Sequence, residues 1–164
     1  MKWIIIACTL ITVLTGAFFL LTLDSSDNES KEIVSFDNLT LHMSGMRGGY
    51  DYEIVNKEDR SDVCKYIERY RDGEDTKELE KCVSVDTSAV IQILNDCQLL
   101  EWDGFHGEHP RFVKDGKMFN LTAQVNDGQM IHADGSANFP NHFHELEQWI
   151  SQTLNQEDNN DEQP

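Results

Sequence analysis

Residues Trp3 to Leu23 read WIIIACTLITVLTGAFFLLTL, 21 residues without a charge, and this run decides how the rest of the chain is arranged. As a helix it would be about 31 Å long, the thickness of a bilayer's hydrocarbon core. A secretory signal has a shorter apolar core followed by small residues at a cleavage site. Here Leu21-Thr22-Leu23 supplies no small residues in that pattern. The expectation is an uncleaved transmembrane anchor over residues 1–23, with secretion after signal cleavage as the alternative. Lys2 and the N-terminus would stay cytoplasmic and everything after Leu23 would lie outside, as the positive-inside bias requires. Ile5-Ile6-Ala7-Cys8 loosely resembles a lipidation box, but it lies too near Met1 and the apolar run continues far past the cysteine. Cys8 reads as a lipid-facing or helix-packing residue.

Charge divides the remainder. Residues 24–32 form an acidic, flexible stalk, and residues 157–164 form an acidic tail expected to be disordered. Between them, 33–156 carries 22 acidic against 11 basic side chains, in a chain whose formal net charge is −17. That surface lacks the clustered Lys and Arg that phosphate backbones require, so nucleic acid is not an expected partner. Acidity serves solubility first, and beyond that suits a basic protein or peptide. The lipid bilayer, through the leader, is the other expected partner.

Alternation defines the strands. Leu39, Leu41 and Met43 share one face of a first strand, and Tyr50, Tyr52 and Ile54 share one face of a second. A third strand, 62–71, and a fourth, 77–85, flank the turn cluster Asp72-Gly73-Glu74-Asp75. Centring that hairpin on Gly73 sets Cys64 opposite Cys82, where a cross-strand disulfide fits and an extracytoplasmic address preserves it. Asp86 is placed to N-cap a helix whose buried stripe is Val90, Ile93, Leu94 and Cys97, with Cys97 expected as a free thiol and its pairing with Cys64 or Cys82 as the alternative. Trp102-Asp103-Gly104-Phe105 is a turn folding two aromatics onto the core, and 106–116 is a long polar loop. Phe119, Leu121, Ala123 and Val125 then alternate, as do Ile131 and Ala133. A three-residue loop, Asn126-Asp127-Gly128, pairs Ala123 with Ile131 and keeps every apolar residue on one face; a type I turn with Gly128 left-handed suits it. A last helix starts at Pro140 with Phe143, Leu146, Trp149, Ile150 and Leu154 as its stripe. The fold class is α+β: an antiparallel sheet (meander plus C-terminal hairpin) covered by two helices, without parallel crossovers.

Trp102-Asp103-Gly104-Phe105, Asp115-Gly116-Lys117-Met118-Phe119 and Ile131-His132-Ala133-Asp134-Gly135-Ser136 with Phe139-Pro140 form a succession over the C-terminal half of the folded region. It resembles a family of small, uncharacterised bacterial exported or membrane-anchored proteins. The resemblance implies a shared framework of aromatics and glycines and brings no catalytic residue set.

Few constellations carry chemistry. His106-Gly107-Glu108-His109 offers two imidazoles and a carboxylate, and with Asp134 it is the candidate metal set. Gly107 and Pro110 argue against the helix that a zinc-protease HExxH arrangement needs, so solvated loop residues are the expected reading. His142 and His144 diverge at i and i+2 of a helix, and His132 falls on the solvent face. The five Asp-Gly pairs, at Asp72, Asp103, Asp115, Asp127 and Asp134, read as turns rather than calcium loops. Ser44 lacks the preceding glycine of a nucleophile elbow. Nothing asks for a cofactor. The expected function is a membrane-anchored extracytoplasmic binding or accessory module, leaning non-enzymatic; the alternative is a metal-assisted hydrolase centred on His106 and His109.

Overall fold

A computed structural model describes residues 32–46, 48–71 and 74–156. The expected anchor, nearly all of the expected stalk and the acidic tail lie outside the described residues; among those described, no helix is long and apolar enough to cross a membrane. The strands are β1 (Phe36–Gly45), β2 (Gly48–Lys57), β3 (Arg60–Arg71), β4 (Glu74–Asp86), β5 (Phe105–Gly107), β6 (Met118–Val125) and β7 (Gln129–Ser136). The helices are α1 (Thr87–Asp96) and α2 (Phe143–Asn155), with a 3-10 turn at Leu99–Trp102. One sheet holds all seven strands in the order β4-β3-β2-β1-β6-β7-β5.

Alternation does place the core. Val83, Val63, Ile54, Leu39, Ala123 and Ile131 pair successively across six strands, forming one inward-facing row. Tyr52, Leu41, Leu121 and Ala133 make the next. These rows meet Val90, Leu94 and Leu99 from the α1 region and Phe143, Leu146, Ile150 and Leu154 from α2. A third row ends in aromatic packing, where the Phe119, Phe139 and Phe143 rings lie within 5.4 Å of one another, centroid to centroid. Trp102 is buried beside Phe143 and donates its indole N–H to the Asn141 carbonyl at 3.1 Å.

Several expectations need correcting. The sheet is mostly antiparallel, but β5 pairs with β7 in parallel, so the segment expected to be wholly loop begins as a strand. The reason is a glycine pair. Gly107 and Gly135 lie side by side, and a Cβ on either would collide with the Asn138 carbonyl crossing over them. Asp134-Gly135 is therefore mid-strand rather than a turn. Both Asn126 (φ 42°) and Asp127 (φ 58°) precede Gly128 (φ 98°) in the left-handed region, so the loop is not a type I turn. Asn126 earns that conformation with its side chain: Oδ1 accepts from the Val34 and Ser35 amides, and Nδ2 donates to the Glu32 carbonyl. Asp86 occupies the N-cap of α1, yet its carboxylate bonds Arg60 at 2.7 Å instead of the helix. Helix α2 starts at Phe143, three residues after Pro140, because His142 adopts φ 62°.

Candidate functional site

Both helices pack on one face of the sheet, and among the described residues no element covers the other. Row by row that open face carries His132, Thr122, Thr40, Glu53, Cys64 and Cys82, then His106, Asp134, Asn120, His42, Asp51, Tyr66 and Leu79. Val55, Leu79, Met118 and Met130 are its exposed apolar members.

The cysteines stand as the hairpin arithmetic expects: Cys64 and Cys82 are directly paired and disulfide-bonded, and Cys97 is free and buried. Burial pushes the Cys97 thiol up to about 12, so it is an inert packing group. The register holds only on one side of a bulge. From Arg60 to Lys65 the partners follow the register expected for a turn centred on Gly73; from Tyr66 to Arg71 they are shifted by one, and Glu80 is the extra residue.

Of the candidate metal residues, the parallel β5–β7 pairing brings two together: His106 Nδ1–H donates to Asp134 Oδ2 at 2.7 Å, both side chains well exposed. His109 does not join them. Its Nε2–H donates to the Val113 carbonyl at 2.7 Å and its Nδ1 accepts from the Ser136 hydroxyl at 2.8 Å, so both ring nitrogens serve to hold the 108–117 loop. Glu108 is exposed, and its carbonyl oxygen faces the Asn138 amide. His142 and His144 each bond the acid three residues on, and His132 is exposed on the open face as expected. Among the described residues, no three His, Cys, Asp or Glu side chains are grouped to hold a metal ion.

Sequence reasoning missed the better-ordered polar group at the centre of the open face. Asp51, with its side chain only 13% exposed, accepts from His42 Nδ1 at 2.6 Å and from Lys77 Nζ at 2.8 Å. Lys77 also reaches Glu53 at 2.5 Å and lies over the Tyr66 ring. Burial alone would raise the Asp51 carboxyl, but the Lys77 and His42 hydrogen bonds outweigh it and hold the group below 3.8. Burial likewise works against the Lys77 ammonium, and Asp51 and Glu53 reverse that, raising it above 10.5. A Cβ on Gly49 would meet the end of the Glu68 side chain and press on the His42 ring. His42, Asp51 and Lys77 lie at outward positions of β1, β2 and β4, and only the β1–β2, β2–β3 and β3–β4 registers together bring them into one group.

The remaining edge feature is β4 itself. It is 13 residues long and pairs with no second strand among the described residues, whereas β5, the opposite edge, has three. The Cys64 and Cys82 Cα atoms are 4.0 Å apart, the close spacing of a non-hydrogen-bonded pair. The amide and carbonyl of Cys82, and of Ser84 two residues on, therefore point away from β3. Consistent with this, the Ser84 carbonyl is taken by the Arg60 guanidinium.

No protein-family model matches the chain, and no curated protein or solved structure matches it.

Proposed function

We propose that the chain is a non-enzymatic, membrane-tethered extracytoplasmic binding module that takes a basic, extended protein segment onto the free edge of β4. The observation that carries this reading is the edge itself. A 13-residue strand offers the outward Cys82 and Ser84 amides and the Cys82 carbonyl, and its sequence carries five acidic residues against two lysines. Edge addition draws affinity from main-chain bonds, while charge selects the partner. The resemblance to small exported proteins adds a common framework and no chemistry. The metal-assisted alternative has the His106–Asp134 pair in its favour and lacks His109.

The test is titration of the isotope-labelled full chain with an alternating Lys-Val peptide and a matched Glu-Val peptide. The basic peptide should shift the Cys82 and Ser84 amides, and S84P, which deletes an outward N–H without touching the β3 ladder, should weaken binding about tenfold or more. Equal binding of both peptides, or shifts confined to β5 and β7, would overturn the edge reading. Elemental analysis of the purified chain after growth with zinc tests the alternative.

A further inference from the structure

The flank of α2 that faces β2 and β3 is neither core nor plain surface. Two adjoining grooves run along it. One, of ≈ 510 Å³, is lined by Tyr50, Tyr52, His144, Glu147, Gln148 and Ser151 among others. The other, of ≈ 290 Å³, is lined by Tyr52, Lys65, Glu80, Lys81, Ser151 and Asn155 with Leu154. They share Tyr52 and Ser151 and so form one trough. Along the helix its wall is His144, Glu147, Gln148, Ser151 and Asn155, at i, i+3, i+4, i+7 and i+11, one stripe about 16 Å long.

The chemistry of that wall is specific. It consists of an imidazole, two planar amides, a hydroxyl and a carboxylate, which together offer both donors and acceptors. The floor is two tyrosines, edge to face with ring centroids 5.2 Å apart, and Tyr50 donates its hydroxyl to Glu147 Oε1 at 3.2 Å. Burial, then the neighbouring Tyr52 and Glu147, raise the Tyr50 phenol, which keeps it a proton donor. The charges along the trough are matched: Lys65 bonds Glu80 at 2.6 Å, and Glu147 receives Lys117 at 3.5 Å. In a chain of formal charge −17, this is a locally balanced site. It offers neither an uncompensated cation for an anion nor a free acidic cluster for a cation. The groove on the helix's other flank also carries hydroxyls and amides, from Ser84, Thr153, Gln152 and Gln156, but sets them beside Val83, Val85 and Trp149 and has no tyrosine in its lining.

We propose that this trough binds a short, uncharged polyhydroxylated chain, an oligosaccharide of about three units, whose vicinal hydroxyls pair with the Gln148, Ser151, Asn155 and Glu147 groups. The trough takes in Glu80 and Lys81 of β4 but not Cys82 or Ser84, so sugar and edge binding are read at different amides and either can fail alone. Peptides are the lesser fit, because the stripe offers side-chain groups and no free strand backbone to pair with.

The experiment is a titration of the isotope-labelled full chain with chitotriose, cellotriose and maltotriose, alongside inorganic phosphate and the Lys-Val peptide. At least one trisaccharide should shift the Ser151 amide and the Gln148 and Asn155 side-chain amides together, with a Kd at or below about 1 mM. S151W, which fills the trough from an incompletely buried position, should abolish those shifts while leaving the spectrum of β6 and β7 intact. Q148A/N155A should weaken binding at least tenfold without steric block. Silence from all three sugars up to about 10 mM, a response to phosphate or peptide alone, or sugar shifts that survive S151W would each overturn the proposal.

Discussion

The β3–β4 and β6–β7 hairpins flank the same central strands, and they are held together by different forces. In β6–β7 every inward position from Phe119 to Val125, and Ile131 and Ala133 opposite, is at most 3% exposed. In β3–β4 the buried side chains are Ser61, Val63, Cys64 and Val83, and beyond the bulge at Glu80 the described side chains are half-buried or exposed. The ribbon adds a disulfide before the bulge, a Lys65–Glu80 pair at 2.6 Å at the bulge itself, and beyond it an Arg69–Glu78 ion pair at 3.7 Å and the Lys77 contacts. A hairpin held by the core is fixed by everything that packs on it. One held by a staple and exposed charges answers to redox state, salt and pH, and can leave an edge free for a partner.

The largest expected effect breaks the core-held hairpin. Phe143 is fully buried, with Phe119 and Phe139 each 4.7 Å away, so Phe143→Ala removes a ring from the centre of that packing. It should cost about 3–5 kcal/mol in denaturant unfolding, because the surrounding rings cannot collapse into the space. A cost below about 1 kcal/mol would mean the aromatic cluster is not what fixes β6–β7. Next comes the stapled hairpin. The Cys64–Cys82 bond closes a sequence separation of 18, and Cys64→Ala with Cys82→Ala should cost about 3 kcal/mol. Amide exchange should accelerate in β3 and β4 and stay slow in β6 and β7. Uniform acceleration would erase the distinction, and peptide mapping of non-reduced protein must return Cys64–Cys82 with Cys97 free.

The sequence was most readable where one face is wholly apolar. The β6–β7 register follows from face matching with the Asn126-Asp127-Gly128 turn, since a one-residue slip would bury His132 and expose Ile131 or Ala133. The β3–β4 register rests on a turn centred on Gly73. It holds at the cysteines because the bulge at Glu80 compensates a one-residue difference nearer the tip. Bulges leave little trace when the residue concerned, here Glu80 between Leu79 and Lys81, is polar and exposed. The parallel β5 strand was hidden for another reason: three residues carry no period, and Gly107 and Gly135 look like turn residues until Asn138 is placed over them. The open-face group was invisible for the most physical reason. His42, Asp51 and Lys77 come from three strands, and neither composition nor spacing says that those positions meet.

A smaller effect tests how the core-held hairpin is locked to the start of the domain. Asn126 secures residues 32–35 through three side-chain hydrogen bonds at 2.8, 3.3 and 2.9 Å. Asn126→Ala loses them and also sets a Cβ-bearing, non-polar residue at positive φ, so a cost of about 1–2 kcal/mol is expected. Asn126→Gly keeps the backbone relaxed and loses the same bonds. If Gly restores full stability, strain and not hydrogen bonding is the larger part; if Gly and Ala lose equally, the side chain is the lock.

The smallest effect sharpens the comparison from the other hairpin's side, through pH. Asp51 links β2 to β4 by accepting from Lys77, and its carboxyl is held below the ordinary 3.8 in the folded chain. A group whose folded pKa is depressed contributes stability that is present above its unfolded pKa and lost as pH falls through the folded value. The native chain should therefore weaken on acidification below about pH 4, with β3–β4 exchange rising before β6–β7 exchange. Lys77 acts at the other end: its pKa is raised, so its contribution is complete below about 10.5 and fades as pH climbs past the folded value. Asp51→Asn should be less stable at neutral pH by on the order of 1 kcal/mol and should show a flatter acid limb, because the titrating group is gone. Lys77→Met should flatten the acid limb only partly, since His42 still donates to Asp51 at 2.6 Å, and should remove this contribution to the alkaline limb. Stability curves for Asp51→Asn that run parallel to the native curve through the acid range would show that the open-face network does not brace the stapled hairpin. Its hold would then rest on the disulfide, the Lys65–Glu80 and Arg69–Glu78 pairs and the buried Val63 and Val83.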